Sequence, residues 1–338
     1  MAEITIPREL EAQIVMKPES VAGTDILGGS YTTADIIPVR AGSLRFNQDP
    51  NEIQNTMTAG RLGRAPSLLG PLTGSISFSM YPRGRGVAYD DSPLVVPEWD
   101  LPVRGCRTAR VIATGSGTES VTYQPTTSDT CMTVYLVVKI PGGNALAIKL
   151  AGAIGTSRWA GVAGGQFAAD FTFYGALSRG DVAYQAGVLT TTPQYPTLKS
   201  AAFQIGSSNY APCIANIGFD MGIVPGMQRC INAAGGVAGH FTADRRPLFA
   251  IDPDAAREAD SGWWTALSTG SPLKDLSFQF GTTQYNRIKF RASANATPGA
   301  TVQVIGQGLN ARDGIMSLPT QLLCTLDSTD EDWAIVAD

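Results

Sequence analysis

Residues 70–84, GPLTGSISFSMYPRG, show the pattern that decides the fold of this 338-residue chain. Every second residue in the middle of this stretch is apolar, namely Ile76, Phe78 and Met80. The residues between them are short and polar, namely Ser75, Ser77 and Ser79. Because successive side chains of a β-strand point to opposite faces, this alternation predicts a strand with one face in a core and one face of neutral hydroxyl groups.

A second stretch, QFAADFTFYGAL at residues 166–177, repeats this alternation with larger side chains. Its apolar side carries Phe167, Phe171 and Phe173. Its opposite side includes Asp170 and Thr172. We therefore expect a second half-buried strand, with the three phenylalanines in the same core as the apolar residues of the first.

Hairpins and one helix complete the predicted elements. Residues 131–154 contain two apolar runs on either side of the turn residues PGGN, which predicts a hairpin, and residues 276–293 predict another. Residues 252–270 predict a helix, because acidic residues lie near the start, Trp263 lies near the end among the core candidates, and Gly270 provides a stop. The chain is therefore predicted to be mainly β.

Composition limits the possible functions. Charged residues make up 16% of the chain, against roughly 25% in ordinary soluble proteins. A free monomer usually keeps itself soluble through charge, so we expect other chains to cover part of the surface. The net charge of −4 argues against a protein that grips nucleic acid electrostatically.

The residues that would carry catalysis or bind a metal are sparse. His240 is the single histidine, and the sequence has no G-x-S-x-G motif, so a serine hydrolase triad has little support. The five cysteines have no C-x-x-C spacing, which does not favour a zinc site. The apolar runs are too short to cross a bilayer. We expect no enzyme, no cofactor, no metal and no membrane partner.

The order of the predicted elements suggests two similar halves. We divide the chain into an N-terminal arm at 1–40, a first domain at 41–187, a linker at 188–198 and a second domain at 199–338. Residues 70–82 correspond to 235–253, and residues 162–177 correspond to 310–326, with slight identity. Residues 85–130 are predicted to be an insertion or an outer loop.

Several segments in this order resemble the tail tube (major tail) proteins of long, non-contractile-tailed bacteriophages, in their two-domain form. EAQIVMKPESVAGTD, which ends in Glu19-Ser20-Val21-Ala22-Gly23-Thr24, is similar to the opening arm of that family. GRLGRAPSLLGPLTGSISFSMYPRG resembles its long loop and following strand, and ALAIKLAGAIGTSRWAGVAGGQFAADFTFYGAL resembles its hairpin and final strand. RDGIMSLPTQLLC resembles the matching C-terminal element. The resemblance covers residues 10–335.

The resemblance implies a fold and an assembly. It implies two tandem tail-tube-type β-sandwich domains, each with a short flanking helix, whose inner sheets join those of other copies in an intersubunit β-barrel. Three two-domain copies, or alternatively six, would form a ring with pseudo-sixfold symmetry in the first case, and rings would stack into a hollow tube. The expected location is the virion tail, assembled in the cytoplasm of the bacterial host. The implied partners are the tape measure protein, the transiting DNA, and the tail terminator and tail tip proteins.

Two sets of residues follow from this interpretation. The neutral face suits a channel that must not hold DNA, because cationic walls bind phosphates through counterion release. We therefore assign to the lumen Ser75, Ser77, Ser79, Asp170 and Thr172. The segment 47–70 is too long for a simple turn, and we assign it to contacts between stacked rings. Its candidate residues are Asn47, Asp49, Glu52, Asn55, Arg61 and Arg64.

Two alternatives remain open from the sequence. The first is another virion component on a similar sandwich, such as a tail terminator, a baseplate ring or a capsid decoration protein. The second is a carbohydrate-binding or hydrolytic β-sandwich in which aromatic side chains form a sugar platform. The candidates for such a platform are Trp99, Trp159, Trp263 and Trp264.

Overall fold

The computed structural model describes most of the chain and is mainly β. It describes residues 11–49, 52–53, 68–115, 117–128, 130–140, 144–187, 192–199, 202–205, 212–232, 236–257, 261–270, 276–292, 301–325 and 332–338. The strands before residue 190 are β1 Ala12–Pro18, β2 Ile36–Ile37, β3 Arg45–Asp49, β4 Glu52–Ile53, β5 Leu68–Leu69, β6 Thr73–Met80, β7 Asp90–Asp91, β8 Leu94–Val95, β9 Thr108–Ala113, β10 Ser120–Pro125, β11 Met132–Val138, β12 Ala145–Val162 and β13 Phe167–Val182.

The remaining strands and the helices follow the same chain order. The strands after residue 200 are β14 Ala202–Ile205, β15 Ile214–Asp220, β16 Ile223–Arg229, β17 Val237–Arg245, β18 Leu248–Pro253, β19 Leu276–Phe280, β20 Ile288–Arg291, β21 Val302–Gln307, β22 Asn310–Arg312, β23 Ile315–Ser317, β24 Thr320–Cys324 and β25 Ala334–Ala337. The described helices are α1 Asp100–Arg104, α2 Trp263–Thr269 and a 3₁₀ turn at Thr33–Asp35.

One large antiparallel sheet contains a row of eight strands. Across this row the order is β3, β6, β13, β12, β15, β18, β24 and β21. The first half of β12 also pairs with β11, which continues the sheet to β1 and β2. The predicted N-terminal arm therefore includes a paired strand, since Ala12–Pro18 lies antiparallel to Met132–Val138.

The strand order of the row repeats. The first four strands are β3 and β6, which pair with each other, and the hairpin β12–β13. In this hairpin β13 lies next to β6, and β12 lies on the far side. In the next four, β15 and β18 are followed by β21 and β24 in the same arrangement. The equivalent pairs are β6 with β18 and β13 with β24, which agrees with the segments that the sequence matches to each other. We call the two groups of four strands the first unit and the second unit.

A second sheet covers the apolar face of the row. Its order is β14, β19, β20, β25, β10 and β9, so strands from both halves of the chain lie in it. Aromatic rings join the two sheets, with centroid distances of 5.4 Å for Trp159–Phe290 and 4.7 Å for Phe167–Phe280. Residues of both predicted domains therefore share one core between the sheets.

The segment 85–130, predicted as an insertion or outer loop, lies in the body of the protein. It forms β7, β8, α1, β9 and β10, and its Trp99 and Tyr123 are fully buried in the main core. Asp100 is buried beside them, where it accepts a hydrogen bond from Tyr123 Oη at 2.9 Å and pairs with Arg110. This region supplies one end of the second sheet.

The predicted helix at 252–270 is wrong over its first residues. Asp252 and Pro253 end β18, and the described helix in this range is α2, Trp263–Thr269. The acidic residues resemble a helix start, but Phe249 and Ile251 alternate into the core and β18 pairs with β15 and β24 on its two sides. Sheet pairing therefore overrides the local pattern.

Part of the predicted linker at 188–198 is held tightly by the body. Arg83, only 2% exposed, makes three hydrogen bonds to the Glu98 carboxylate and one to the carbonyl oxygen of Pro193. The guanidinium also lies 4.8 Å from the ring centroid of Tyr195. Residues 188–191 lie outside the described part of the chain.

Candidate functional site: the polar face and the open edges of the row

The polar face of the row brings together the five predicted lumen residues. In register, Ser79 lies opposite Asp170, Ser77 opposite Thr172, and Ser75 opposite Tyr174. The Ser77 and Thr172 hydroxyl oxygens are 2.9 Å apart, and Ser79 donates a hydrogen bond to Asp170. The short polar side chains of β6 and β13 therefore satisfy one another across the strands.

This face continues onto the neighbouring strands, each of which brings one arginine to it. Arg45 of the edge strand lies opposite Ser77. On the other side Arg158 of β12 lies between Asp170 and Asp220 in register. Because each strand presents alternate side chains to this face, the sheet offers mostly hydroxyl, amide and small apolar groups to whatever lies in front of it.

The opposite face of the same strands holds the predicted core. The seven candidates are all at most 3% exposed, namely Ile76, Phe78, Met80, Phe167, Phe171, Phe173 and Trp263. Phe78 stacks on Phe171 and Phe173 with centroids 5.5 and 6.0 Å apart. The rigid apolar layer fixes which residues of β6 and β13 point to the polar side.

Both ends of the row are open edges in the part of the chain that the structure describes. There β3 pairs with β6 alone, and β21 pairs with β24 alone. An edge strand presents a line of unpaired backbone N–H and C=O groups, which is a template for a strand of another chain. The described sheets do not close into a barrel within one copy.

The predicted ring-stacking residues begin on one of these edges. Asn47 and Asp49 lie on β3 with exposed side chains on the polar face, and Thr73 Oγ1 lies 3.5 Å from Asp49 Oδ2. Glu52 lies in β4, which pairs antiparallel with β5 through Glu52↔Leu69 and Ile53↔Leu68. Asn55, Arg61 and Arg64 fall outside the described residues.

The equivalent connection in the second unit is a long two-stranded ribbon, β16–β17. It lies against the first unit where β12 bulges between Ala151 and Ile154. Gly152 occupies this bulge with φ +59°, and a Cβ built on it would lie 3.1 Å from Gly23 Cα and 3.6 Å from Gly239 Cα. Three backbone segments therefore meet at a point where side chains do not fit.

Glu19 ties these segments together, a role that sequence reasoning missed. Its carboxylate accepts hydrogen bonds from the backbone N–H groups of Gly23 and Gly152, each at 2.7 Å, and from Thr133 Oγ1 at 2.9 Å. Burial raises the pKa of this carboxyl group, while these hydrogen bonds act to lower it. The motif Glu19-Ser20-Val21-Ala22-Gly23-Thr24 could have indicated this role, because the backbone N–H of its glycine donates a hydrogen bond to the side chain of its glutamate.

The tryptophans do not form the surface that a sugar platform requires. Trp99, Trp159 and Trp263 are at most 1% exposed, and Trp99 and Trp159 pack edge to face at 5.6 Å. Trp264 is 63% exposed. Three of the four candidates for carbohydrate binding are therefore core residues.

The remaining candidates for reactive groups are the five cysteines and His240. The five cysteines are free thiols, and burial raises the thiol pKa of Cys106 and Cys324. His240 lies on the ribbon, where burial lowers its pKa. Within the described ranges, no three His, Cys, Asp or Glu side chains are grouped as metal ligands. The described helices are too short or too polar to span a membrane.

Comparisons with known proteins add no identification. The chain matches no protein-family model, and no curated protein is significantly similar to it in sequence. The geometry of the polar face and of the open edges is therefore the basis for a functional conclusion.

Proposed function

We propose that this protein is a phage tail tube subunit, a structural virion protein that polymerises as stacked rings into the hollow tube through which DNA reaches the host. The observation that carries the proposal is the repeated strand order of the row, whose two end strands each have one open edge among the described residues. No catalytic, cofactor or metal role is part of the proposal.

The repeat supplies a rule for adding copies. Within the chain, β15 of the second unit pairs with β12 of the first, as in Arg158↔Asp220. By the repeat, β21 and the β22 that follows it are equivalent to β12, and β3 is equivalent to β15. A second copy can therefore place its β3 against this edge as β15 lies against β12. The contact is heterologous, so it generates a closed ring or an open helix.

A closed ring accounts for the two open edges together. Each copy contributes eight strands from two units, so three copies bring six units around the ring, with six copies as the alternative. Closure removes both open ends of the row, which are otherwise sites of uncontrolled aggregation. We favour three copies. The two units of one chain already pair side by side through β12 and β15, as neighbouring units would pair in a ring of six units.

The polar face would then line the channel. The hydroxyl groups of Ser75, Ser77, Ser79 and Thr172 are neutral, and the charge of Arg158 lies in register between Asp170 and Asp220. A wall of this kind neutralises few phosphates, so DNA that passes it keeps most of its counterions and binds the wall weakly. The tape measure protein before ejection and the DNA during ejection are the proposed occupants, with tail terminator and tail tip proteins at the two ends of a tube in the virion.

The test is electron microscopy of the purified protein. We expect hollow rings or tubes with threefold rotational symmetry. A protein that remains a monomer at all concentrations, or that forms solid filaments without a channel, would contradict the proposal. Closed rings that never stack would favour the alternative of a terminator or baseplate ring.

A variant of the edge sharpens this test. Ile305 is the extra residue of a bulge in β21, between the pairs Val304↔Leu322 and Gly306↔Gln321. Ile305→Pro leaves these two pairs to β24 in place and puts a proline on the open edge, a position where strands tolerate it. We expect a folded monomer by circular dichroism and gel filtration. Ile231→Pro, at a turn residue that is 99% exposed, is the matched control and should assemble normally.

A further inference from the structure

The two units of one chain join along β12 and β15, a contact that we call the internal seam. Its ladder is antiparallel and includes the pair Arg158↔Asp220. Arg158 also lies opposite Asp170 of β13, so the arginine stands between two carboxylates in register. The chain therefore contains one complete example of how a unit of this fold joins its neighbour.

The polar face shows how the two units align residue by residue. Ser79 of β6 and Asp254, which directly follows β18, lie at the same distance from the start of their strands. Ser79 lies opposite Asp170 of β13. Asp254 lies opposite Ser317 of β23. A serine faces an aspartate in both units, with the two residue types exchanged, so Asp170 and Ser317 are equivalent.

Asn310 is the residue of the second unit that is equivalent to Arg158. Arg158 lies opposite Asp170 in the hairpin β12–β13. Asn310 lies opposite Ser317 in the hairpin β22–β23, and its side chain is exposed. Both residues occupy the outer strand of their hairpin. The outer edge of β12 is filled at this point by β15, whereas β22 pairs with β23 alone among the described strands.

Asp49, at the other end of the row, is equivalent to Asp220. Asp49 lies opposite Thr73, the first residue of β6. Asp220 lies opposite Leu248, the first residue of β18. The two equivalent positions therefore carry the same residue type, and the side chain of Asp49 is exposed on an edge strand.

We propose that β3 of one copy pairs antiparallel with β22 of the next, with Asp49 opposite Asn310 as Asp220 lies opposite Arg158 within the chain. The inference rests on the proposed ring and gives its seam a register. The seam lies within one ring, whereas the sequence alone assigned Asn47 and Asp49 to contacts between stacked rings. The neighbouring pairs of the seam are Gln48↔Ala311 and Asn47↔Arg312.

The chemistry of the two edges agrees with this register. The amide of Asn310 can donate a hydrogen bond to the carboxylate of Asp49, at the place where the internal seam has an arginine beside an aspartate. Arg312 holds the hairpin β22–β23 to β18, because its guanidinium donates to the carbonyl oxygen of Asp252 at 2.9 Å and to Asp254 Oδ1 at 2.5 Å. An edge that is already ordered loses less conformational entropy when a strand is added to it.

A disulfide between copies tests the register. Asp49→Cys and Asn310→Cys are combined in a chain whose Cys213 and Cys230 are replaced by serine. Cα atoms directly opposite each other in an antiparallel pair are about 4.5–5.5 Å apart, which is within the range of a disulfide. We expect a ladder of linked copies in non-reducing electrophoresis after oxidation, ending at the size of the ring.

The matched control shifts one cysteine along β3. It combines Asn310→Cys with Arg45→Cys, which lies four residues, or about 13 Å, along the strand from the proposed partner. This pair should give no ladder. A ladder from the shifted pair, or no ladder from either pair while rings are present, would overturn the register.

A charge variant tests the same pair without a crosslink. Asn310→Asp would place a carboxylate opposite Asp49, so we expect rings to form only at a roughly twofold to fivefold higher concentration in gel filtration. Addition of Asp49→Lys should restore assembly, because the two charges are then opposite. Asn232→Asp, at an exposed turn residue, is the matched control and should assemble normally. Unchanged assembly of Asn310→Asp, or no rescue by Asp49→Lys, would overturn the register.

These readouts separate the register from the proposed function. If rings form and the cysteines at 49 and 310 stay unlinked, the register is wrong and the ring stands. If the disulfide forms in chains that microscopy shows without a channel, the register stands and the tube is wrong. If the protein neither associates nor crosslinks, both are wrong.

Discussion

Glu19 shows how one side chain can hold three distant segments in place. Its carboxylate joins the turn at Gly23, the bulge at Gly152 and strand β11 through Thr133. The Gly152 N–H is partly buried and the Gly23 N–H is exposed. A buried N–H group without a partner costs about 1–3 kcal/mol, so the carboxylate matters mainly for the donor at Gly152. The ribbon of the second unit rests on this same point.

Two replacements of Glu19 distinguish the contribution of its hydrogen bonds to stability from the contribution of its charge. We expect Glu19→Ala to lower the free energy of unfolding by about 1–3 kcal/mol, because the partly buried Gly152 N–H loses its acceptor. Glu19→Gln keeps an acceptor oxygen and should cost less. Urea denaturation of both variants measures the difference, and equal losses would show that the acceptor is not what stabilises this point.

The raised pKa of Glu19 predicts the sign of a pH effect. The folded state holds the proton more tightly than the unfolded state, whose carboxyl has the ordinary pKa of 4.5. The contribution of this group is therefore most favourable below that value and is lost as the pH rises through the raised pKa. The Glu19→Gln variant should lack this decline, as measured by thermal unfolding between pH 4 and 7. An unchanged pH profile would contradict the assignment.

Arg83 is the second residue whose surroundings predict a large effect. It is buried with Glu98 and also bonds the 192–199 segment through Pro193. Removing one partner of a buried ion pair typically costs about 3–5 kcal/mol, so Arg83→Ala should be strongly destabilising. Arg85, which is 42% exposed and 4.0 Å from Glu98, is the matched control, and Arg85→Ala should cost less than about 1 kcal/mol. Similar losses for both variants in urea denaturation would contradict this reading.

At the scale of elements, the long hairpin β12–β13 determines how the sheet is built. Its first half belongs to the block with β11 and β1, and its second half belongs to the row. The bulge at Gly152 allows the change of partner, because a bulge bends a strand and increases its twist. The equivalent bulge in β21 lies at an open edge.

Two glycines of this hairpin make the role of the bulge testable. Gly152 and Gly164 both have positive φ, but a Cβ on Gly164 would meet nothing within 4 Å. Gly164→Ala should cost about 1–2 kcal/mol from the left-handed backbone alone. Gly152→Ala should cost more, because its Cβ would also press on Gly23. Thermal unfolding measures both, and equal losses would show that the close approach contributes nothing.

At the scale of the whole molecule, the wall of the proposed channel makes a prediction about DNA. Ser77→Lys with Asp170→Lys adds positive charge to the polar face without touching the core. We expect tubes to assemble and DNA ejection to slow, because lysines bind phosphate and release counterions. Val87→Lys with Leu94→Lys, at exposed positions of the 85–95 segment, is the control. Normal ejection by phage with the first pair would contradict the lumen assignment.

Much of the local structure could be predicted from the sequence. The alternation in 70–84 and 166–177 shows which side chains of β6 and β13 are buried, and the hairpins at 131–154 and 276–293 are present as β11–β12 and β19–β20. This works because a strand with one buried face must alternate, whatever its neighbours are. The mainly β character of the fold is confirmed on the same basis.

The order of the strands and the shared surfaces were decided only by the tertiary structure. Alternation states which face is buried, but it does not state that β12 pairs with β15 or that β10 pairs with β25. These partners are far apart in the chain, and the pairing depends on backbone hydrogen bonds and on how the aromatic core packs, neither of which a short window of sequence contains. For the same reason the segment 85–130 resembled an insertion, while its Trp99 and Tyr123 complete the core. The sequence by itself determined the two faces of each strand, and the packing of distant segments determined which edges remain open.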